Sequence, residues 1–126
     1  MSNAEIISPY FKPTEFTCDF KPALDNMTPV FLEKLVRLRD RCGFPFVLTS
    51  TYRSPAKNKR VGGAQNSMHL QGRAVDIMCI SGAARWEIIR HATEMGLSVG
   101  VMERAIHVDD RESPVIFHYY DKYARK

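Results

Sequence analysis

Apolar residues in this chain change their spacing from segment to segment, and the changes mark the elements. Phe31, Leu35, Leu38 and Cys42 recur every three or four positions, which places them on one stripe of an α-helix. Thr28-Pro29 supplies a capping hydroxyl and a proline suited to the first turn, and Gly43 supplies the stop. Ser81 caps a second such helix through Met95, with Ala84, Ile88, Ala92 and Met95 on one stripe and Gly96 behind it. Between the two, Phe46 to Ser50 reads as a strand, and Ser54-Pro55 opens a short helix that ends near Gly62-Gly63.

Alternation replaces helical spacing from Ala74 to Ile80, where Val75, Ile77 and Cys79 share one face and Ala74, Asp76 and Met78 the other. Ser98 to Met102 and Ala105 to Asp109 read as strands joined by Glu103-Arg104, and Val115 to Tyr120 as a third after Ser113-Pro114. Strands so closely connected are expected to pair antiparallel. The pattern therefore predicts an α+β domain, an antiparallel sheet with helices packed on one face and a polar face opposite. That polar face carries His107 and Asp109. Asp76 stands out as well, because a carboxylate in an apolar strand needs a compensating partner. Up to Met27 the chain has three prolines and little periodicity, so residues 1–27 read as an irregular N-terminal arm packed through Tyr10, Phe11, Phe16 and Phe20.

A length of 126 residues fits a single domain, 1–126, with one core. No apolar run approaches the roughly 20 residues that span a bilayer, and Met1-Ser2-Asn3-Ala4-Glu5 lacks a basic stretch followed by an apolar one. The expectation is synthesis in the cytoplasm without a signal peptide. Cys18, Cys42 and Cys79 are odd in number and form no C-x-x-C pair, which argues against a disulfide framework or thiolate metal site and for free, mostly buried thiols. The net charge of +4 is modest. Its main cluster, Lys57-Asn58-Lys59-Arg60, reads as a solvated helix face, and no aromatic platform interleaves with it to suggest nucleic acid.

Candidate chemistry gathers in Ser67-Met68-His69-Leu70-Gln71-Gly72-Arg73-Ala74-Val75-Asp76 and in Ile106-His107-Val108-Asp109. Two neutral imidazoles and a carboxylate, His69, His107 and Asp76, make a zinc ligand set with one tetrahedral position left open, the mark of a catalytic rather than a structural site. Ser67 either bonds a ligand or substrate or bonds its own backbone. Asp109 either orients a ligand or pairs with Arg111. Arg53 suits a carboxylate clamp through its planar fork, or else a fold-stabilising ion pair.

Read as S-x-H-x-x-G-x-A-x-D followed by H-x-D, these segments resemble the zinc D-alanyl-D-alanine carboxypeptidases and phage endolysins, the M15 family of peptidoglycan peptidases. Ser50-Thr51-Tyr52-Arg53-Ser54-Pro55 with Asn58 and Gly62-Gly63-Ala64 resembles its substrate-arginine segment, and Tyr10-Phe11 with Glu15-Phe16 its N-terminal opening. The resemblance implies one Zn2+ per chain on His69, Asp76 and His107, in a site like that of Hedgehog and the D,D-peptidases. It implies hydrolysis of peptidoglycan stem-peptide amide bonds, as a carboxypeptidase or endopeptidase acting on the cell wall, with Arg53 and Ser67 at the substrate. Relatives carry an acidic residue three positions before the last histidine, where this chain has Arg104. An arginine cannot accept a proton, so the general base falls to Glu103, brought in by a β-bulge, or to Asp109. The same departure opens a second reading, a non-catalytic zinc module that binds wall peptides or a phage or bacterial partner. The expected partner is the stem peptide, with no nucleic acid and no membrane span, and the chain is expected to be a monomer. The basic cluster adds an alternative role, attraction to anionic wall polymers.

Overall fold

In the computed structural model, which describes residues 1–118, the N-terminal segment is more regular than its prolines suggest. Helix α1 spans Asn3–Ile7. The Ser2 hydroxyl accepts from the Glu5 amide at 3.1 Å, while the Glu5 carboxylate accepts from the Ser2 amide at 3.0 Å. This reciprocal capping box is written in the sequence as Ser2-x-x-Glu5 and corrects the irregular arm expected over residues 1–27. A 3₁₀ turn at Pro13–Glu15 leads to a two-stranded hairpin of β1, Thr17–Cys18, and β2, Lys21–Pro22. Phe11 and Phe16 are buried with Ile6 and Ile7 in the main core, whereas Tyr10 is partly exposed and Phe20 entirely so. The expected packing holds for Phe11 and Phe16, and Tyr10 lies against the domain with the Arg39 guanidinium 4.3 Å from its ring centroid, whereas Phe20 occupies the hairpin tip and does not pack.

Helix α2 spans Pro29–Cys42 between the expected signals: the Thr28 hydroxyl accepts from the Phe31 amide, and Gly43 closes it at φ 74°. Strand β3, Val47–Ser50, and helix α3, Pro55–Arg60, follow. After the loop come β4, Ala74–Met78, and helix α4, Gly82–Glu94. The remaining strands are β5, Ser98–Val101, β6, Ala105–Asp109, and β7, Ile116–His118. Tyr119 and Tyr120, expected to complete β7, lie outside the described residues.

The five-stranded sheet has the order β3-β4-β6-β5-β7. Its pairings are antiparallel except one: β7 runs parallel to β5. The all-antiparallel expectation is corrected here for a simple reason. Strand β6 already has β4 and β5 on its two edges, so β7 cannot pair with it and joins instead at the open outer edge of β5. Reversing direction after β6 makes it parallel to β5.

Val75, Ile77, Val99, Ile106 and Val108 meet Phe31, Leu35 and Leu38 of α2 and Ile88 and Ala92 of α4 in one buried cluster. Period-two alternation then turns Asp76 and His107 to the other face. Register aligns them: Ser50 is opposite Asp76, Asp76 opposite His107, His107 opposite Gly100, and Gly100 opposite Phe117. One row therefore crosses all five strands. A side chain at Gly100 would put its Cβ 2.8 Å from the Phe117 ring and 3.0 Å from the His107 Cβ, so glycine is what lets that ring lie beside the imidazole.

Cys79 is buried, and Cys18 and Cys42 are partly so; all three are free. Among the described residues no helix is long and apolar enough to cross a membrane.

Gly72 tests how tightly the loop ahead of β4 is held. Its φ is 67°, and an added Cβ would sit 1.9 Å from the Asn26 carbonyl oxygen, whereas Gly43 at φ 74° faces open space. Gly72→Ala should therefore lower the unfolding free energy by roughly 3 kcal/mol and Gly43→Ala by only about 1 kcal/mol in urea titrations. Equal losses would contradict the packing described.

Candidate metal centre

Three elements bring the ligands together. Residues Met68–Gln71 form a 3₁₀ turn that ends at Gly72 in the left-handed region and presents His69. Strand β4 presents Asp76 and β6 presents His107, directly paired. One ligand atom from each of the three lies within 4.8 Å of the other two, and all three residues are buried. Among the described residues they form the one cluster of this kind.

The hydrogen bonds around the imidazoles test whether a cation belongs here. His69 Nδ1 is 2.6 Å from the Thr51 carbonyl oxygen, which fixes it as the protonated nitrogen and leaves Nε2 with a lone pair, 3.1 Å from Asp76 Oδ1. His107 Nε2 is 2.7 Å from Asp109 Oδ2, and its Nδ1 is 3.0 Å from the same Asp76 Oδ1. Neutral imidazoles so arranged aim two lone pairs at a carboxylate oxygen. That contact is repulsive unless a proton or metal ion stands between them. The donor set, two imidazole nitrogens and one carboxylate with their outer atoms already engaged, fits Zn2+.

Electrostatics point the same way. Burial by itself would raise the Asp76 pKa, but the hydrogen bond with His107 and the contact with the His69 imidazole outweigh it and hold the carboxyl well below its ordinary value of 3.8. Burial likewise opposes a charged His107, yet its bonds to Asp109 and Asp76 raise its pKa above 6.5. Without metal, then, the proton on His107 Nδ1 supplies the positive charge that Asp76 requires.

Asp109 is fully buried and accepts from His107 on one side and from Arg111 on the other. Arg111 donates from Nε to Oδ1 at 2.9 Å, from Nη2 to Oδ2 at 2.6 Å, and from its own amide to Oδ1 at 3.1 Å. Burial raises the Asp109 pKa, and these bonds, His107 first, more than reverse it. The two partners weighed as alternatives from sequence are both present, His107 and Arg111 each bonding the one Asp109 carboxylate. The Phe117 ring lies 5.3 Å from the His107 ring, and the Arg111 guanidinium is 5.2 Å from the Phe117 centroid.

Arg53 stands at the opposite flank. Its Nη2 is 3.5 Å from Asp76 Oδ2, its Nε donates to Ser50 Oγ at 3.2 Å, and its Nη1 donates to Asn58 Oδ1 at 3.2 Å. Asn58 is buried and donates in turn to the Ala64 carbonyl at 2.9 Å. A Cβ on Gly63 would lie 2.1 Å from Asn58 Oδ1 and 2.9 Å from Arg53 Nη1, which explains the glycine there. Three of the five guanidinium N–H donors are engaged among the described residues.

The remaining candidates lie apart from the ligands. The Ser67 hydroxyl accepts from the His69 amide at 3.2 Å, capping the 3₁₀ turn that carries the histidine. Glu103 is exposed in the turn between β5 and β6, whose register runs without the β-bulge expected to bring it in, four residues from His107 and at most about 13 Å of extended chain away. Sequence reasoning missed the Thr51 carbonyl, which no side-chain motif encodes, and the use of Asn58 to hold Arg53.

Comparison with family models matches residues 9–109 to the model described as Peptidase M15. No curated protein matches the chain.

Two outcomes follow for the metal centre. In metal-free protein, the raised His107 pKa contributes stability that is complete below pH 6.5 and is lost as pH rises through the raised value. The lowered carboxyls contribute stability complete above 3.8 and lost as pH falls through their lowered values. The metal-free melting temperature should therefore fall on the alkaline side, and saturating zinc should abolish that fall by displacing the His107 proton. An alkaline fall unchanged by zinc would exclude this coupling. Asp109→Asn should weaken zinc binding about 10- to 100-fold in a chelator competition.

Proposed function

The chain belongs to the peptidase M15 family, and on that premise we propose that it is a zinc metallopeptidase hydrolysing amide bonds in peptidoglycan stem peptides at the cell wall. The observation that carries this reading is the pair of imidazole lone pairs and the Asp76 carboxylate aimed at one point, with Arg53 beside them. On this reading the zinc site is of the Hedgehog and D,D-peptidase type, set on the polar face of the sheet behind which the helices pack. His69, Asp76 and His107 would hold Zn2+, which supplies a Lewis acid for amide hydrolysis when bound.

The other residues take roles that their surroundings support. Thr51 and Asp109 fix the imidazole tautomers, so that each presents a lone pair inward. Asn58 and Ser50 hold the Arg53 guanidinium with two N–H donors left for a substrate carboxylate, a bidentate contact suited to the C-terminus of a stem peptide. Asp109 is saturated by His107 and Arg111, which leaves Glu103 as the carboxylate for the general base. Ser67 serves the substrate only through the His69 turn that it caps. One chain supplies every residue of the site, so the reading requires no second subunit.

A non-catalytic wall-peptide module is the second reading, favoured by one observation. Arg104 occupies the position of the acidic residue, and among the described residues no carboxylate beyond Asp76 joins the ligand cluster.

Purified muropeptides incubated with zinc-loaded protein separate the two. Hydrolysis should release D-alanine or a new amine, and Glu103→Gln should lower kcat about 100-fold or more with zinc content unchanged. Blocking the substrate's terminal carboxylate as an amide should raise KM if the enzyme is a carboxypeptidase using Arg53, and leave it unchanged if it is an endopeptidase. Muropeptide binding without any product would establish the non-catalytic module.

A further inference from the structure

The hairpin of β1 and β2 holds Asp19 at φ 50° and Phe20 at φ 66° between the paired residues Cys18 and Lys21. Both central positions of this two-residue turn demand positive φ, for which Asn-Gly or Asp-Gly is favoured. Phenylalanine is a poor choice there, since its Cβ crowds the backbone in the left-handed region. Its ring gains nothing from the fold in return, because the residue is fully exposed. A strained backbone that puts a large apolar ring into water points outward, to a ligand.

The tip is also braced. Asp19 accepts from Arg60 Nη2 at 2.6 Å and lies 3.4 Å from Lys57 Nζ, both on α3. The Thr51 hydroxyl donates to the Thr17 carbonyl at 3.4 Å, joining the hairpin to the residue whose own carbonyl orients His69. Behind the tip lies a cavity of about 280 Å³ with a mixed lining, apolar at Pro22 and Ala23 and polar at Lys21, Asn26, Tyr52 and Ser54. Tyr52 and Ser54 flank Arg53 in sequence, so the cavity lies one residue along the chain from the guanidinium beside Asp76.

We propose that Phe20 and this cavity form a saccharide subsite, in which the aromatic face stacks on the apolar face of a pyranose ring and the polar lining takes its hydroxyl and acetamido groups. The chemistry favours a sugar over other ligands. An anionic polymer would need a cluster of available cations, and two of those nearby, Lys57 and Arg60, already share the single Asp19 carboxylate. A protein surface would need an apolar surround, whereas Phe20 stands between Asp19 and Lys21. A cavity this small suits a single ring, and Asp19 and Lys21 on either side of Phe20 both line it. The inference rests on the peptidoglycan reading above, since a stem peptide reaches the metal attached to a glycan strand, and it assigns that strand a place.

Zinc-loaded, isotope-labelled protein titrated with a β-1,4-linked N-acetylglucosamine tetramer tests it by NMR. Amide shifts should concentrate at residues 18–22 and 52–54. Phe20→Gly should weaken the tetramer about tenfold or more while raising the melting temperature, since it relieves the turn, and Phe20→Trp should keep the binding. Absent shifts, shifts mapping elsewhere, or Phe20→Gly binding unchanged would overturn the proposal. So would the same hairpin shifts with a free stem pentapeptide and none with the sugar, which would make this a peptide subsite. The readout requires no hydrolysis, so a catalytically silent protein that binds the tetramer would sink the peptidase reading and leave this one standing.

Discussion

A carboxylate removed from water sets the terms for the rest of the site. Asp76 lies in the middle of a sheet, and an ionised group there carries a desolvation penalty of several kcal/mol unless charge and hydrogen bonds offset it. Two imidazoles and a guanidinium converge on its two oxygens. Each partner must then be held, and the holding spreads outward: His69 by the Thr51 carbonyl, His107 by Asp109 and Arg111, and Arg53 by Ser50 and Asn58. Even the N-terminal hairpin is drawn in, through the bond between Thr51 and Thr17.

The sheet separates this demand from the demands of stability. Residues of odd phase in β4 and of even phase in β6 enter the apolar core, and their neighbours form the polar centre. Loss of a ligand side chain therefore leaves the helix-facing core intact, and the site can be altered without dismantling the cluster of Phe31, Leu35, Ile77 and Ile106. The converse does not hold. The row from Ser50 to Phe117 depends on the strand register that the core enforces.

Local signals were legible where side chains speak to their own backbone. Thr28-Pro29 and Gly43 bound α2, Ser81 begins α4, and the alternation of β4 and β6 gave Asp76 and His107 a common face before any coordinates. The capping box of α1 was legible too, but the surrounding prolines masked it. The parallel placement of β7 was not, because strand order depends on which edges remain open after the other strands have paired. Backbone partners such as the Thr51 carbonyl leave no trace in residue identity. The two readings of Asp109 looked exclusive only because sequence spacing does not reveal that one carboxylate, fully buried, has room for both an imidazole and a guanidinium.

Gly100 and Phe117 have a consequence for how this chain can vary. They face each other across β5 and β7, and the ring fills the space that any side chain at 100 would need. Through its contact with His107, the ring is also part of the wall of the candidate metal centre. A lineage that enlarges residue 100 must first shrink residue 117, and in doing so it uncovers the imidazole. The two positions are thus bound to change together, and drift at this edge of the sheet passes through the chemistry rather than around it.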